Sequence, residues 1–314
     1  LQPDVGTAII FFAFIFVLYR EGLPGIFLWL LLTLIVVFVL TLILGEILLI
    51  LLILAVALLI IFFLLDEKKR IIRILISAMS IFSFLYFINL LFDINFDLYE
   101  VIFISVIIWS IYLLIYSVRK KIYPVIVVVM FLFAGLSMQF LTDLTFHKIL
   151  QQHHRNRIEV LLDDTIDPKG IGYNLRQSKI AIGSGGWSGK GYLKGTQTKL
   201  SYVPEHNTDF IFCTFAEEWG FRGVVVLFIL YAALIMRIFT RAEKQISDFS
   251  RIYGYSVGSI IFVHFFVNIG MTMGLIPVIG IPLPFFSYGG SSFLGLTILL
   301  FIFIKLDTEK DLKL

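Results

Sequence analysis

Residues 26–65 form an apolar run of forty residues whose one charged group, Glu46, follows Gly45. At about 1.5 Å of rise per residue, one helix of that length would be about 60 Å long, twice the hydrocarbon core of a bilayer at about 30 Å. The run therefore has to fold as two membrane helices, 26–44 and 47–65, with a tight turn at Gly45 and Glu46. Composition agrees. The chain of 314 residues is 59% hydrophobic and 15% charged, with 33 Phe, whereas soluble domains carry about 25% charged residues. That much apolar surface excludes a water-soluble fold. The formal charge of +3 and its placement give no reason to expect a nucleic-acid partner. The single cysteine, Cys213, rules out an internal disulfide and reads as a small apolar helix residue.

Further apolar segments follow at 5–19, 74–92, 101–117, 123–146, 222–240, 253–273 and 288–305. The predicted fold class is all-α: a polytopic transmembrane bundle of about nine spans with one long extracytoplasmic loop. Basic residues in short loops set the orientation. Alternate loops hold Arg20; Lys68, Lys69, Arg70 and Arg73; Arg119, Lys120 and Lys121; Arg237, Arg241, Lys244 and Arg251; and Lys305, Lys310 and Lys313. The opposite short loops at 45–46, 93–100 and 274–287 hold none. The basic set and the C-terminus are therefore expected in the cytoplasm, and residues 148–221 outside. That long segment carries nine Lys and Arg, which is tolerable because long loops translocate largely regardless of charge. Three regions result: 1–147, with a low-information block at 26–117; the outer segment 148–221; and 222–314, with three spans and the tail. The chain begins at Leu1 with its first motif already at a span, so a longer parent is expected.

The outer segment holds the chemistry. Residues 151–167 alternate charged and apolar groups, as suits a helix lying on the membrane surface. His153 and His154 are adjacent and point to different sides of such a helix. No third ligand is spaced for a site, so no metal ligands are assigned. In IGSGGWSGKG, Gly183, Gly185, Gly186, Gly189 and Gly191 would let backbone N–H groups approach an anion. Lys190 sits among them, with Lys179, Lys194 and Lys199 nearby. The P-loop pattern is not met, because Ser184 and Gly191 stand where it requires Gly and Ser or Thr. A flexible loop with solvated lysines fits the same residues. At an outer membrane surface a basic glycine loop also suits a lipid-linked phosphate.

Asp209 follows Asn207 and Thr208, either of which makes a good N-cap, and is expected in the first turn of a helix over DFIFCTFAEEWG that Gly220 ends. It reads either as a carboxylate favoured by the helix dipole or as a general base at the water–lipid boundary. Glu217 and Glu218 lie about 12–14 Å further along such a helix. That is too far for a carboxylate dyad with Asp209, so they read as structural, packing toward Arg222. The stretch 274–292 contains Pro277, Pro282, Pro284 and four glycines. It cannot be regular helix and is expected to be buried or to line a cavity. His264 and Asn268, one turn apart, are expected to face the bundle.

The motifs QSKIAIGSGG, GKG, GTQTKL, VPEHNTDFIF, EEWGFRG and PLPFFSYGGSS, with QPDVGTA at the start, resemble the RodA branch of the SEDS family of shape, elongation, division and sporulation proteins. The similarity is dense over 151–292. It implies a peptidoglycan glycosyltransferase that polymerises lipid II into glycan strands during cell elongation and shape maintenance, with a role beside cell division in its paralogues. Asp209 falls on the family's essential extracellular aspartate. The implied substrate-binding residues are Lys179, Lys190, Lys199, Gly185, Gly186, Gln177 and Glu205. No cofactor is assigned, although the chemistry admits a divalent cation, Mg or Mn. The implied partners are lipid II, a class B penicillin-binding protein and other elongation-complex membrane proteins, in the bacterial cytoplasmic membrane. Two departures accompany the resemblance: the family's spans before QPD are absent, and four spans at about 26–117 intervene where the family has a short connection. Two rival readings fit the spans, a flippase of lipid-linked precursors and a non-catalytic scaffold for a penicillin-binding protein.

Overall fold

The computed structural model describes residues 5–65, 67–92, 96–146, 150–163, 166–167, 170–199, 202 and 207–309. Among these the chain is all helix: α1 (Val5–Phe11), α2 (Phe14–Arg20), α3 (Ile26–Leu64), α4 (Lys68–Leu91), α5 (Leu98–Lys120), α6 (Pro124–Leu144), α7 (Gln152–Leu162), α8 (Ile171–Ser184), α9 (Thr196–Lys199), α10 (Ile211–Glu243), α11 (Asp248–Met273) and α12 (Gly290–Glu309). Seven stretches are long and apolar enough to cross a membrane. The other two segments of the sequence reading form the shorter apolar helices Ala8–Arg20 and Ile26–Thr41.

Two breaks have clear causes. Within α3, Gly45 takes φ 72°, ψ 172°, so two helices meet there, as the forty-residue run requires. Between α1 and α2 the amides of Phe12 and Ala13 bond three residues back, to Ile9 and Ile10. That tighter turn carries the backbone from α1 to α2 without a glycine.

The chain divides into two compact units, one of Leu1–Leu28 with Gln151–Leu314 and one of Trp29–Leu150. The second unit holds most of the 26–117 block and also α6. Its core joins the second half of α3 to α5 and α6 through Leu49, Ile50, Ile61, Trp109, Leu113 and Leu132. Gly135 of α6 lets Ile53 approach so closely that an added Cβ would lie 3.1 Å from it. Just past the break at Gly45, the Glu46 carbonyl accepts a bond from Gln139 Nε2 at 2.9 Å.

In the first unit α11 is the central element. Its buried residues include Gly254, Val257, Gly258, Ile261 and Asn268. Small residues let neighbours come close, as in membrane helix packing generally. A Cβ at Gly254 would lie 2.3 Å from the Phe303 ring of α12. At one end the unit is laced by ion pairs. Arg20 pairs with Glu243, and Arg251 with Glu21 at 2.9 Å. The Arg251 hydrogen bond holds the Glu21 carboxyl below its usual range. These pairs gather at one end the loops that the sequence reading assigns to one side.

Replacing Gly254 with Leu should overpack the contact with Phe303 and cost about 1–3 kcal/mol. Thermal unfolding in detergent measures this, and an unchanged midpoint would contradict the packing.

Candidate active site

The site is built on α8, the glycine loop after it, and the first half of α10. Helix α8 starts where the Asp167 carboxylate accepts the amides of Gly170 and Ile171, at 2.9 and 2.8 Å. This satisfies donors that a helix N-terminus leaves open. Leu175, Ser178 and Ala181 make its buried face. Ser178 Oγ donates to the Thr272 carbonyl of α11 at 2.9 Å. Within 151–167 a helix forms as α7; the rings of His153 and His154, expected on different sides of it, instead lie 3.8 Å apart between centres. Burial, with His153 and Arg157 close by, holds the His154 imidazolium below its usual range.

Gly220 governs the next layer. With φ 63°, ψ −166°, it interrupts α10 without ending it. The sequence reading has a helix ending at Gly220; instead one residue leaves helical geometry and the helix resumes into the membrane span. In an unbroken helix, Phe221 and Arg222 would donate to the carbonyls four residues back, those of Glu217 and Glu218. Here Phe221 N donates to Gly186 O at 2.9 Å and Arg222 N to Trp187 O at 3.3 Å. The freed carbonyls of Glu217 and Glu218 accept Lys190 N and Gly191 N, each at 3.0 Å. Four hydrogen bonds that an unbroken chain would not share are thus exchanged between loop and helix. Only glycines permit the approach: an added Cβ would lie 2.1 Å from the Ala216 carbonyl oxygen at Gly185, 2.1 Å from that of Glu218 at Gly189, and 2.3 Å from Gly189 N at Gly220.

This changes the meaning of the glycines. The amides of Gly185, Gly186, Gly189, Lys190 and Gly191 all donate within the protein. A backbone cradle for an anion is therefore not what these glycines form; they pack a loop onto a kinked helix. Glu217 finishes the arrangement. It is fully buried, and its Oε1 accepts Lys190 Nζ at 2.7 Å, Thr196 N at 2.8 Å and Gln197 N at 3.0 Å. Burying a carboxylate is tolerable when it is paired and hydrogen-bonded. The Leu193 amide lies beside the Glu218 carboxylate, and Leu193 itself is in the left-handed region at φ 57°. Among the described residues neither carboxylate forms an ion pair with Arg222. The Arg222 guanidinium instead lies 5.8 Å from the centre of the Trp187 ring.

Asp209 is held by long-range contacts. Asn268 Nδ2 donates to the Asp209 carbonyl at 2.8 Å and to that of Ile281 at 2.7 Å. Ser287 Oγ donates to the Thr208 carbonyl at 2.7 Å, and Tyr288 N to the Asn207 carbonyl at 2.9 Å. With these carbonyls occupied, residues 207–210 form a turn and helix begins only at Ile211. Asp209 therefore precedes the helix rather than lying in its first turn, and no side-chain cap forms there. The carboxylate is part-exposed and faces Gly280, where an added Cβ would lie 3.2 Å from Oδ2. His264 and Asn268 are buried, as expected, and the His264 ring meets the Pro282 carbonyl.

The remaining sequence-named residues separate by position. Lys179 lies against Gly274, where an added Cβ would be 2.4 Å from its Cε. The loop that begins there also meets Asp209 at Gly280, so one segment touches both side chains. Lys190 is paired with Glu217. Lys199 is exposed at the end of α9, and Gln177 is half-buried on α8. Glu205 and the QPD residues Gln2, Pro3 and Asp4 lie outside the described residues. Among the described residues no three His, Cys, Asp or Glu side chains gather for a metal ion. Sequence reasoning missed Glu217 as an organiser. Its one signal was a carboxylate within an otherwise apolar segment, where charge is costly enough to imply a partner.

The seven membrane-length helices make this an integral membrane protein. It belongs to the family of cell cycle proteins FtsW, RodA and SpoVE, which it matches over residues 45–312. Escherichia coli K12 has a relative named peptidoglycan glycosyltransferase MrdB, 45% identical over 164 residues, 52% of this chain and 44% of that protein. Treponema pallidum has one named peptidoglycan glycosyltransferase RodA, 40% identical over 145 residues, 46% of this chain and 34% of that protein. The chain thus spans less than half the length of these curated relatives. A chain of a solved peptidoglycan synthase complex aligns at TM-score 0.45 with 21% identity, covering 82% of this chain and 88% of that one.

Two outcomes test the loop. Gly220→Ala forces a side chain into the left-handed region and into Gly189; it should cost more than about 1 kcal/mol and expose 185–199 to limited proteolysis. Glu217→Gln leaves Lys190 with the Thr196 hydroxyl but without its charged partner. Since Lys190 is partly exposed, the loss should be about 1–3 kcal/mol rather than the larger cost of breaking a fully buried pair. Resistance to protease equal to wild type in both variants would contradict the arrangement.

Proposed function

We propose that this chain carries the glycosyl-transfer site of a peptidoglycan polymerase acting on lipid II, with Asp209 as its general base. The observation that supports this most is the holding of Asp209: its backbone turn is fixed by Asn268 on its own carbonyl and by Ser287 on the Thr208 carbonyl, and its part-exposed carboxylate lies against Gly280. Fixed geometry at a reacting group is what catalysis needs, and the relatives named above are glycosyltransferases.

In the proposed reaction Asp209 accepts the proton of the acceptor sugar's 4-hydroxyl. The oxygen forms a bond to the anomeric carbon of the donor glycan, the bond from that carbon to pyrophosphate breaks, and undecaprenyl pyrophosphate leaves. Positive charge near the leaving group stabilises the charge it gains. Lys179 of α8, which lies against the loop segment that also meets Asp209, takes that role first in this reading, with Lys199 next. Lys190 would first have to part from Glu217, so its contribution runs through the shape of the loop. Among the described residues no set of three His, Cys, Asp or Glu side chains gathers for a divalent cation. The setting proposed is the bacterial cytoplasmic membrane, with 148–221 outside and the C-terminus in the cytoplasm. A class B penicillin-binding protein and other elongation-complex membrane proteins are the proposed partners.

The test uses the full-length native protein with its partner's crosslinking chemistry blocked. Wild type should lengthen lipid II into glycan, and Asp209→Asn should reduce the rate about 10²–10⁴-fold without loss of fold. Equal rates would remove Asp209 from the chemistry, and no polymer from either would favour the flippase or scaffold. Lys179→Ala should raise the KM for lipid II about tenfold, a loss of about 1.4 kcal/mol. An unchanged KM would remove it from donor binding.

A further inference from the structure

An apolar groove of about 540 Å³ lies between α8 and α10, and none of the residue roles proposed above falls on its lining. Ile182 and Gly183 line one side, Phe212, Val225 and Ile229 the other, and Gly186 the top. None of its described lining residues carries a polar side chain. The groove is continuous with the lipid-facing surface of the α10 span, where Val226, Ile229 and Leu230 are all more than half exposed. At its upper end Phe221, itself a lining residue, stacks on Trp187 at 5.1 Å between ring centres. Trp187 is 60% exposed, and Arg222 reaches over it.

These features follow the polarity of a lipid molecule. Tryptophan with a neighbouring cation suits the headgroup level of a bilayer, where one end of the ring is apolar and the other wet. Below that level, an apolar groove open to hydrocarbon is filled by chains, because water would find no hydrogen-bond partner there. The loop and span cannot separate easily, since Phe221 N and Arg222 N donate to Gly186 and Trp187.

We propose that this groove seats one acyl chain of a phospholipid from the leaflet that contains the site, with Trp187 at headgroup depth and Arg222 on the lipid phosphate. The seat fixes the depth of the glycine loop in the membrane. It does not depend on the reaction proposed above.

The test uses the chain in nanodiscs of phosphatidylethanolamine and phosphatidylglycerol, with Trp29, Trp109 and Trp219 each replaced by Phe so that Trp187 alone reports. Acyl chains brominated near the headgroup should quench its emission, and aqueous acrylamide should not. Gly183→Leu then fills the groove without strain, because a Cβ there meets nothing within 4 Å; it should relieve the bromine quenching. A second readout leaves every tryptophan in place: phospholipid retained through detergent exchange, counted by native mass spectrometry, should fall in Gly183→Leu. Emission indifferent to bromine, or quenching and retention unchanged by Gly183→Leu, would overturn the proposal. Added undecaprenyl phosphate that restores emission would overturn the phospholipid as occupant in favour of a prenyl chain.

Discussion

The exchange of backbone hydrogen bonds at Gly220 is the interaction on which the rest of the site depends. A continuous α10 would satisfy its own carbonyls and leave the glycine loop without partners. An unpaired backbone group away from water costs about as much as a lost hydrogen bond, so a detached loop would have to remain solvated. By breaking α10 at one residue, the chain offers two carbonyls and two amides to the loop and closes the account on both sides. The glycines at 185, 189 and 220 are needed because the two backbones approach closer than any Cβ allows. Glu217 then gathers the far end of the loop, drawing Lys190, Thr196 and Gln197 onto one buried oxygen.

The same logic of irregular backbone held by distant groups recurs at Asp209. Its turn is fixed by Asn268, 59 residues away, and the adjoining Thr208 carbonyl by Ser287, 79 residues away. The proline-rich stretch 274–292 supplies most of this frame. It carries Ser287 and the Ile281 carbonyl, and it meets Lys179 at Gly274 and Asp209 at Gly280. A regular helix there would have hidden those carbonyls in its own ladder. The prolines prevent this, and so make a scaffold for the carboxylate.

How much of this the sequence discloses depends on the range of the physics. The spans were legible because twenty apolar residues in a row have few alternatives, and Gly45 broke the forty-residue run where length required it. Asp209 was legible as a candidate because a carboxylate stood where polar loop met apolar helix. Its exact setting was not, because propensity favours capping by Asn207 or Thr208, while distant groups claim the carbonyls instead. The glycine loop misled for a related reason. Glycine marks close approach but not what approaches: an anion and a second backbone need the same missing Cβ. Lys190 was visible as a charge near phosphate-like chemistry, and nothing local announced that Glu217, 27 residues on, would take it. The unit Trp29–Leu150 remains the part of the chain with the least chemical information.

The most direct test of the central claim is hydrogen exchange on the membrane-embedded wild-type protein, resolved at the amides of Lys190, Gly191, Phe221 and Arg222. Exchange between loop and helix predicts that all four are protected and open together, since each bond closes the same junction. Fast exchange at Lys190 and Gly191 beside slow exchange at Phe221 and Arg222 would mean that α10 keeps its own ladder and the loop is free.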